Sequence, residues 1–320
     1  MLIDDDATVD DPPGIAAGDS AYDGLLDHDS HGQWAFGTGF DEPLSGVDTS
    51  VPPGIDAGAL ASYCLMLADD ALVSAQRLAE WSTRAPELEE EVALANIGLD
   101  LLGQARLLLS RAAAADPSLV PLVSRTSPIP SDDALAFFRD EFAYRNVRLV
   151  ELDNGDFART MVRLLVFTTW RLAVFQPLRW SRDPVLAAVA GRGVSELAYH
   201  RDHGARWVVI LGRGTAESRR RLIDAVGAVW PYVDELFASQ PEERTLVAQG
   251  VAIDPASVRD EFDAVVAEIF AAAELDVPAG GASVSMVGCR SGRNGLHTEL
   301  MGPLLADLQS VARAHPEGRW

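Results

Sequence analysis

The chain has 320 residues, 48% of them hydrophobic and 23% charged, enough apolar material for one large folded body or two smaller ones. A formal net charge of −22 repels phosphate backbones and anionic lipid, so nucleic acid and membrane surfaces are not expected partners. All 26 basic residues are arginine, which excludes lysine Schiff-base chemistry, and two cysteines, Cys64 and Cys289, are too few for a disulfide framework or a metal knuckle.

Residues 1–56 hold 12 Asp and one Glu but no Arg, together with five Pro and many Gly, and show neither helical nor alternating periodicity. They read as an acidic N-terminal extension without regular structure. Its Trp34, Phe36 and Phe40 leave two readings open, incidental aromatics in a tail or an arm that docks by them. The chain opens with acids where a signal peptide needs base and an apolar stretch, and no uncharged apolar run approaches the roughly 18 residues of a membrane span, so a cytoplasmic protein is expected.

From Ala57 the apolar spacing turns helical, and residues 57–320 read as one helical domain. Leu60, Cys64, Leu67, Ala71, Ser74 and Leu78 form the inner row of a first helix ending near Trp81. A second helix runs from about Pro86 to Ala115. Its two apolar rows, Leu88, Val92, Ala95, Leu99, Leu102 and Leu94, Leu101, Ala105, Leu108, predict a central position, apolar over most of the circumference. Ser131, Asp132 and Asp133 start a third helix drawn to Leu152, and Asp156 caps a fourth reaching Gln176, before Pro177. Further helices are predicted over 184–211, 216–238, 255–275 and 296–314, and no segment reads as a strand. Long helices with short connections predict an all-α fold, a ferritin-like four-helix bundle core with additional helices.

Such bundles carry di-iron centres on one Glu from each of two helices and Glu-x-x-His on the other two, because i, i+3 spacing puts both ligands on one face. Here that pattern is degenerate. His200 would need an acid at position 197, which is leucine, and the matching pair on the second helix is Leu101 and Gln104. Ala71 stands where the first helix would project a carboxylate, flanked by Asp69 and Asp70, and no Asp or Glu occurs between Asp156 and Asp183. Asp100, Gln104 and His200 read as a vestigial polar core whose members satisfy one another. An unconventional iron site built from Asp69, Asp70, Asp100, Glu196 and His200, in an oxygenase or oxidase, is the alternative that stays open.

His203 reads as exposed on its helix, and His297, after Asn294, as part of a helix start rather than a general base. Tyr63, Trp81, Trp170, Trp180, Trp207 and Trp230 read as core or interface aromatics. The loops Gly212-Arg213-Gly214 and Gly292-Arg293-Asn294-Gly295 follow no strand and are weak as phosphate cradles.

The run from Trp81 to Leu88, the run from Ala93 to Arg106, the triplet Tyr199-His200-Arg201 and the late Gly292 to His297 resemble the accessory subunits of ring-1,2-phenylacetyl-CoA epoxidases. The resemblance covers residues 62 to the C-terminus and leaves the acidic extension aside. It implies a ferritin-like subunit without catalytic, cofactor or metal residues of its own. It also implies a heterodimer with a catalytic ferritin-like sister, whose Glu-x-x-His motifs fall at Leu101 to Gln104 and at Leu197 to His200. That sister would hold the di-iron centre and phenylacetyl-CoA, a reductase would supply electrons from NADPH, and the epoxide would enter aerobic phenylacetate breakdown.

Overall fold

The computed structural model describes residues 44, 46–123, 129–278 and 291–318. Trp34, Phe36, Phe40 and Cys289 lie outside the described residues. Among those described there are nine α-helices and no strand: α1 (Ala57–Ala79), α2 (Leu88–Ala115), α3 (Ser131–Phe137), α4 (Phe157–Leu178), α5 (Pro184–Arg213), α6 (Ala216–Val229), α7 (Pro241–Ala248), α8 (Arg259–Ala272) and α9 (Met301–Ala314). The four long helices form the bundle, with α1 against α2, α4 against α5, and α2 against α5. Helices α6 and α8 cover α4 and α5, α7 lies on α1, and α9 lies on α3.

Local chemistry fixes the helix starts. The side chains of Asp56, Asp156 and Asp183 each accept a backbone N–H of the first turn of α1, α4 and α5, and Pro184 follows the last of these caps where its missing N–H costs nothing. Asp183 also pairs with the buried Arg111 of α2, whose guanidinium donates to the carbonyls of Thr49 and Ser50. That arginine ties residues 49–50 onto the bundle.

Several sequence expectations need correction. Helix α2 is not central: Leu94, Ile97, Leu101 and Leu108 are buried, whereas Leu88, Val92, Leu99 and Leu102 are 71%, 52%, 64% and 43% exposed. The helix expected over 131–152 stops at Phe137 and continues in 3-10 turns, because the buried carboxylates of Asp69 and Asp70 accept the N–H groups of Arg145 (2.8 Å) and Val147 (2.9 Å) in place of helical carbonyls. Helix α6 ends at Val229, where Pro231 turns the chain into a 3-10 segment, and α7 was not anticipated, although Gln240 and Glu243 form a capping box at its start. A 3-10 turn over Pro255–Val258 precedes α8, and α9 begins at Met301 because residues 291–298 form a strap over the bundle instead of a helical turn. Of the aromatics read as core or interface, Trp180 is exposed and so is not core.

Helices α1 and α2 are long and apolar enough to cross a membrane by length and composition, which counting only uncharged runs did not show. Burial of α1 by its neighbours, with Asp69, Asp70 and Arg77 on it held by protein partners, is that of a bundle core helix.

Candidate functional site

The four bundle helices meet around one side chain that sequence reasoning passed over. Arg171 of α4 is fully buried, and its Nε donates to Gln104 Oε1 of α2 (3.1 Å) while Nη1 donates to the Leu67 carbonyl of α1 (3.1 Å). Gln104 Nε2 in turn donates to Glu196 Oε2 of α5 at 2.9 Å, and Arg192 Nε donates to Glu196 Oε1 at 3.0 Å. The guanidinium lies 4.4 Å from the ring centroid of Phe175, a cation–π contact on its apolar side. Burial pushes the Arg171 guanidinium down to about 10, against the opposing attraction of Asp70, so it stays protonated at neutral pH. The centre therefore carries a fixed positive charge, hydrogen-bonded to three helices directly or through Gln104.

Gly193 of α5 makes room for this arrangement. A Cβ there would come within 2.9 Å of the Phe175 ring and 3.3 Å of Gln104 Nε2. The chain signal for it was present only as a glycine inside a helical pattern, which costs helix stability unless close approach requires it.

Of the degenerate ligand positions, Ala71, Leu101, Leu197 and His200 are fully buried and Gln104 nearly so. His200 Nε2 lies 2.9 Å from Asp100 Oδ2. Desolvation lowers the imidazole's proton affinity more than Asp100 raises it, so the ring is neutral at pH 7. Gln104 does not join that pair, as the vestigial-core reading required; it is taken by Arg171 and Glu196. Asp69 and Asp70 are elsewhere, Asp69 paired with Arg139 and Asp70 with Arg293 at 2.8 Å. Of the five residues proposed for an unconventional iron site, Asp100 and His200 pair with each other while Asp69, Asp70 and Glu196 bond other groups, and among the described residues no three His, Cys, Asp or Glu side chains come together as a metal site would need. The residues at the bundle centre do not fit a di-iron group: besides an amide, a neutral imidazole and a guanidinium they bring only the carboxylates of Asp100 and Glu196, which are taken by His200 and by Gln104 with Arg192.

The remaining candidates are each held by contacts within the fold. His297 is no helix cap: its Nδ1 lies 2.7 Å from the buried Glu151 Oε1, while Glu151 Oε2 accepts the Thr298 N–H (2.6 Å). Asn294 Oδ1 accepts the Ser291 N–H instead (3.2 Å). His203, expected to be exposed, is half-buried with Nε2 3.2 Å from Glu90 Oε2, which also accepts Trp207 Nε1–H (2.8 Å). Gly292 sits where a Cβ would come within 2.1 Å of the Asn146 carbonyl, so its loop is a close-packed strap, and Gly212 presses on Ala273 in the same way.

Residues 48–320 match the family of phenylacetic acid catabolic proteins. The chain belongs to that family. It is also 40% identical over 261 residues to a subunit of the 1,2-phenylacetyl-CoA epoxidase of Escherichia coli (strain K12), an alignment that spans 82% of this chain and 99% of that protein. The family resemblance read from Trp81 to Arg106 is thereby confirmed, and the all-helical bundle agrees with it.

Proposed function

We propose that this family member is a structural subunit of a 1,2-phenylacetyl-CoA epoxidase complex, working in the cytoplasm in aerobic phenylacetate catabolism and performing no oxygen chemistry itself. Its partner on this reading is a ferritin-like catalytic subunit that holds di-iron and substrate, with a reductase acting on that partner. The observation that carries the reading is Arg171. A protonated guanidinium hydrogen-bonded to Gln104, itself one of the Glu-x-x-His positions, puts positive charge where a metal-binding member of such a fold would gather carboxylates.

Isolated chain and co-expressed complex test this together. Elemental analysis of the chain alone should find no stoichiometric iron after chelator dialysis. An untagged ferritin-like catalytic subunit, co-expressed with it, should co-purify and epoxidise phenylacetyl-CoA when reductase is supplied. Two tightly held irons per isolated chain would overturn the structural-subunit reading.

A further inference from the structure

We propose that the outer face of α2 is the docking surface for the catalytic ferritin-like subunit, which crosses it with an antiparallel helix of its own. The proposal rests on the functional reading above for the identity of the partner and on the following geometry for the place. Leu88, Val92, Leu99 and Leu102 are all exposed, with Ala95 between them, and they recur at intervals of three and four, so they form one stripe along one side of the helix. The same helix already satisfies the bundle with a different row, Leu94, Ile97, Leu101, Leu108, so the outer stripe has no role in folding the monomer. Isolated surface leucines are ordinary, but a continuous helical stripe of this kind marks a contact.

Size and pattern favour a second bundle over a peptide. With 28 residues, α2 is about 42 Å long, and the neighbouring α5, which adds the exposed Tyr199, is of similar length. Two helices of that length present roughly 800 Å², the area each side contributes to a stable protein–protein interface. The stripe is also nearly palindromic about Ala95: Leu88 mirrors Leu102, and Val92 mirrors Leu99. Such a sequence pairs with an antiparallel helix of the same register. Glu87, Glu89 and Glu91 lie at one end of the stripe, and towards the other Arg106 and Arg192 pair within this chain with Asp132 and Glu196. An antiparallel partner with a basic end sets it against those three glutamates. Two related ferritin-like subunits, joined about a pseudo-two-fold axis, meet these conditions.

The test uses the full chain co-expressed with the catalytic subunit, comparing wild type, Leu99→Glu, the double variant Leu88→Glu/Leu99→Glu, and a control, Ile223→Glu, at an exposed position on α6. Affinity is read by titration of the purified subunits and folding by thermal melting of each chain alone. The expected result is roughly 100-fold weaker pairing for the double variant, an unchanged Ile223→Glu, and melting temperatures within a degree or two of wild type for all. Wild-type chain that ignores the catalytic subunit would sink the functional reading itself. Wild-type pairing that both stripe variants leave intact would overturn the docking face while that reading stands. Two further results would also overturn it: a wild-type homodimer that the stripe variants dissociate without affecting the catalytic subunit, or hydrogen-exchange protection of α2 in the isolated chain that disappears on Trp34→Ser/Phe36→Ser/Phe40→Ser, which would assign the face to the acidic extension.

Discussion

At the scale of single residues, Arg171 changes what it would take to rebuild a metal centre. Substituting Ala71→Glu, Leu101→Glu, Gln104→His and Leu197→Glu writes one helix-borne Glu and two Glu-x-x-His pairs into the chain, yet leaves in place a resident guanidinium that bonds position 104 and the Leu67 carbonyl, one turn before position 71. The new carboxylates would form salt bridges with it rather than gather iron. The expected outcome is no iron uptake by the quadruple variant at micromolar ferrous ion, followed by elemental analysis, and a gain of uptake only when Arg171→Glu is added; iron bound with Arg171 present would contradict this. A different residue contributes a pH dependence. Burial pushes the Glu243 carboxyl up to about 7, against Arg293, so the folded chain prefers it protonated. A raised carboxyl stabilises the fold fully below its unfolded value and loses that contribution as pH rises towards 7. Glu243→Gln is neutral throughout and keeps an acceptor for the Gln240 N–H, now 2.7 Å away. Its melting temperature relative to wild type should therefore climb between pH 4.5 and 7.5, by the equivalent of up to about 3 kcal/mol. A difference flat with pH would remove Glu243 from the pH response.

Among the elements, the seam between α4 and α5 is set by glycines, and Gly193 is the position to perturb. Gly193→Ala improves helix propensity by up to about 1 kcal/mol, but its methyl meets the Phe175 ring within 2.9 Å. Overpacking against a ring that also lies beneath a buried guanidinium should dominate, for a net loss of roughly 1–3 kcal/mol in chemical denaturation, whereas Gly191→Ala, two residues away with open space before it, should stabilise slightly. The elements also show what was readable in advance. Helices α1, α2, α4 and α5 were legible because each has a long 3.6-residue apolar period and a clear capping residue or proline. The stretch 138–152 was not, because its backbone is held by Asp69 and Asp70 from a helix some seventy residues earlier. No local pattern encodes such a partner. The bundle centre was half legible: the spacing showed where Glu-x-x-His was not met, but scanning α4 only for acids concealed the arginine that bonds Gln104 there.

For the whole molecule, the distribution of buried charge matters more than the net −22. Arg139 with Asp69, Arg293 with Asp70, Arg148 with Glu235, and His297 near Glu151 clamp segments 139–151 and 291–298 against α1, the 3-10 turn Asp234–Phe237 and one another. Breaking one member of such a buried pair leaves an uncompensated charge, so this region is held more specifically than an apolar contact of equal area would hold it. The outer row of α2 is the reverse, apolar and exposed. Periodicity revealed that α2 has two apolar rows. Which of them faces the bundle could not be read from the helix alone, since both satisfy the same repeat, and the choice depends on what Gln104 and Gly98 meet across the interface.

The guanidinium at the centre of the bundle bears finally on nutrition. A bundle whose central charge is its own arginine would not draw on an external supply to reach its native state, whereas a site built from clustered carboxylates is relieved of mutual repulsion only when its ions arrive. On the proposed reading, the structural half of the complex would accumulate at full stability in iron-starved cells. It would then be ready to receive its catalytic sister once iron returned, so that recovery after scarcity would be limited by loading one subunit and not two.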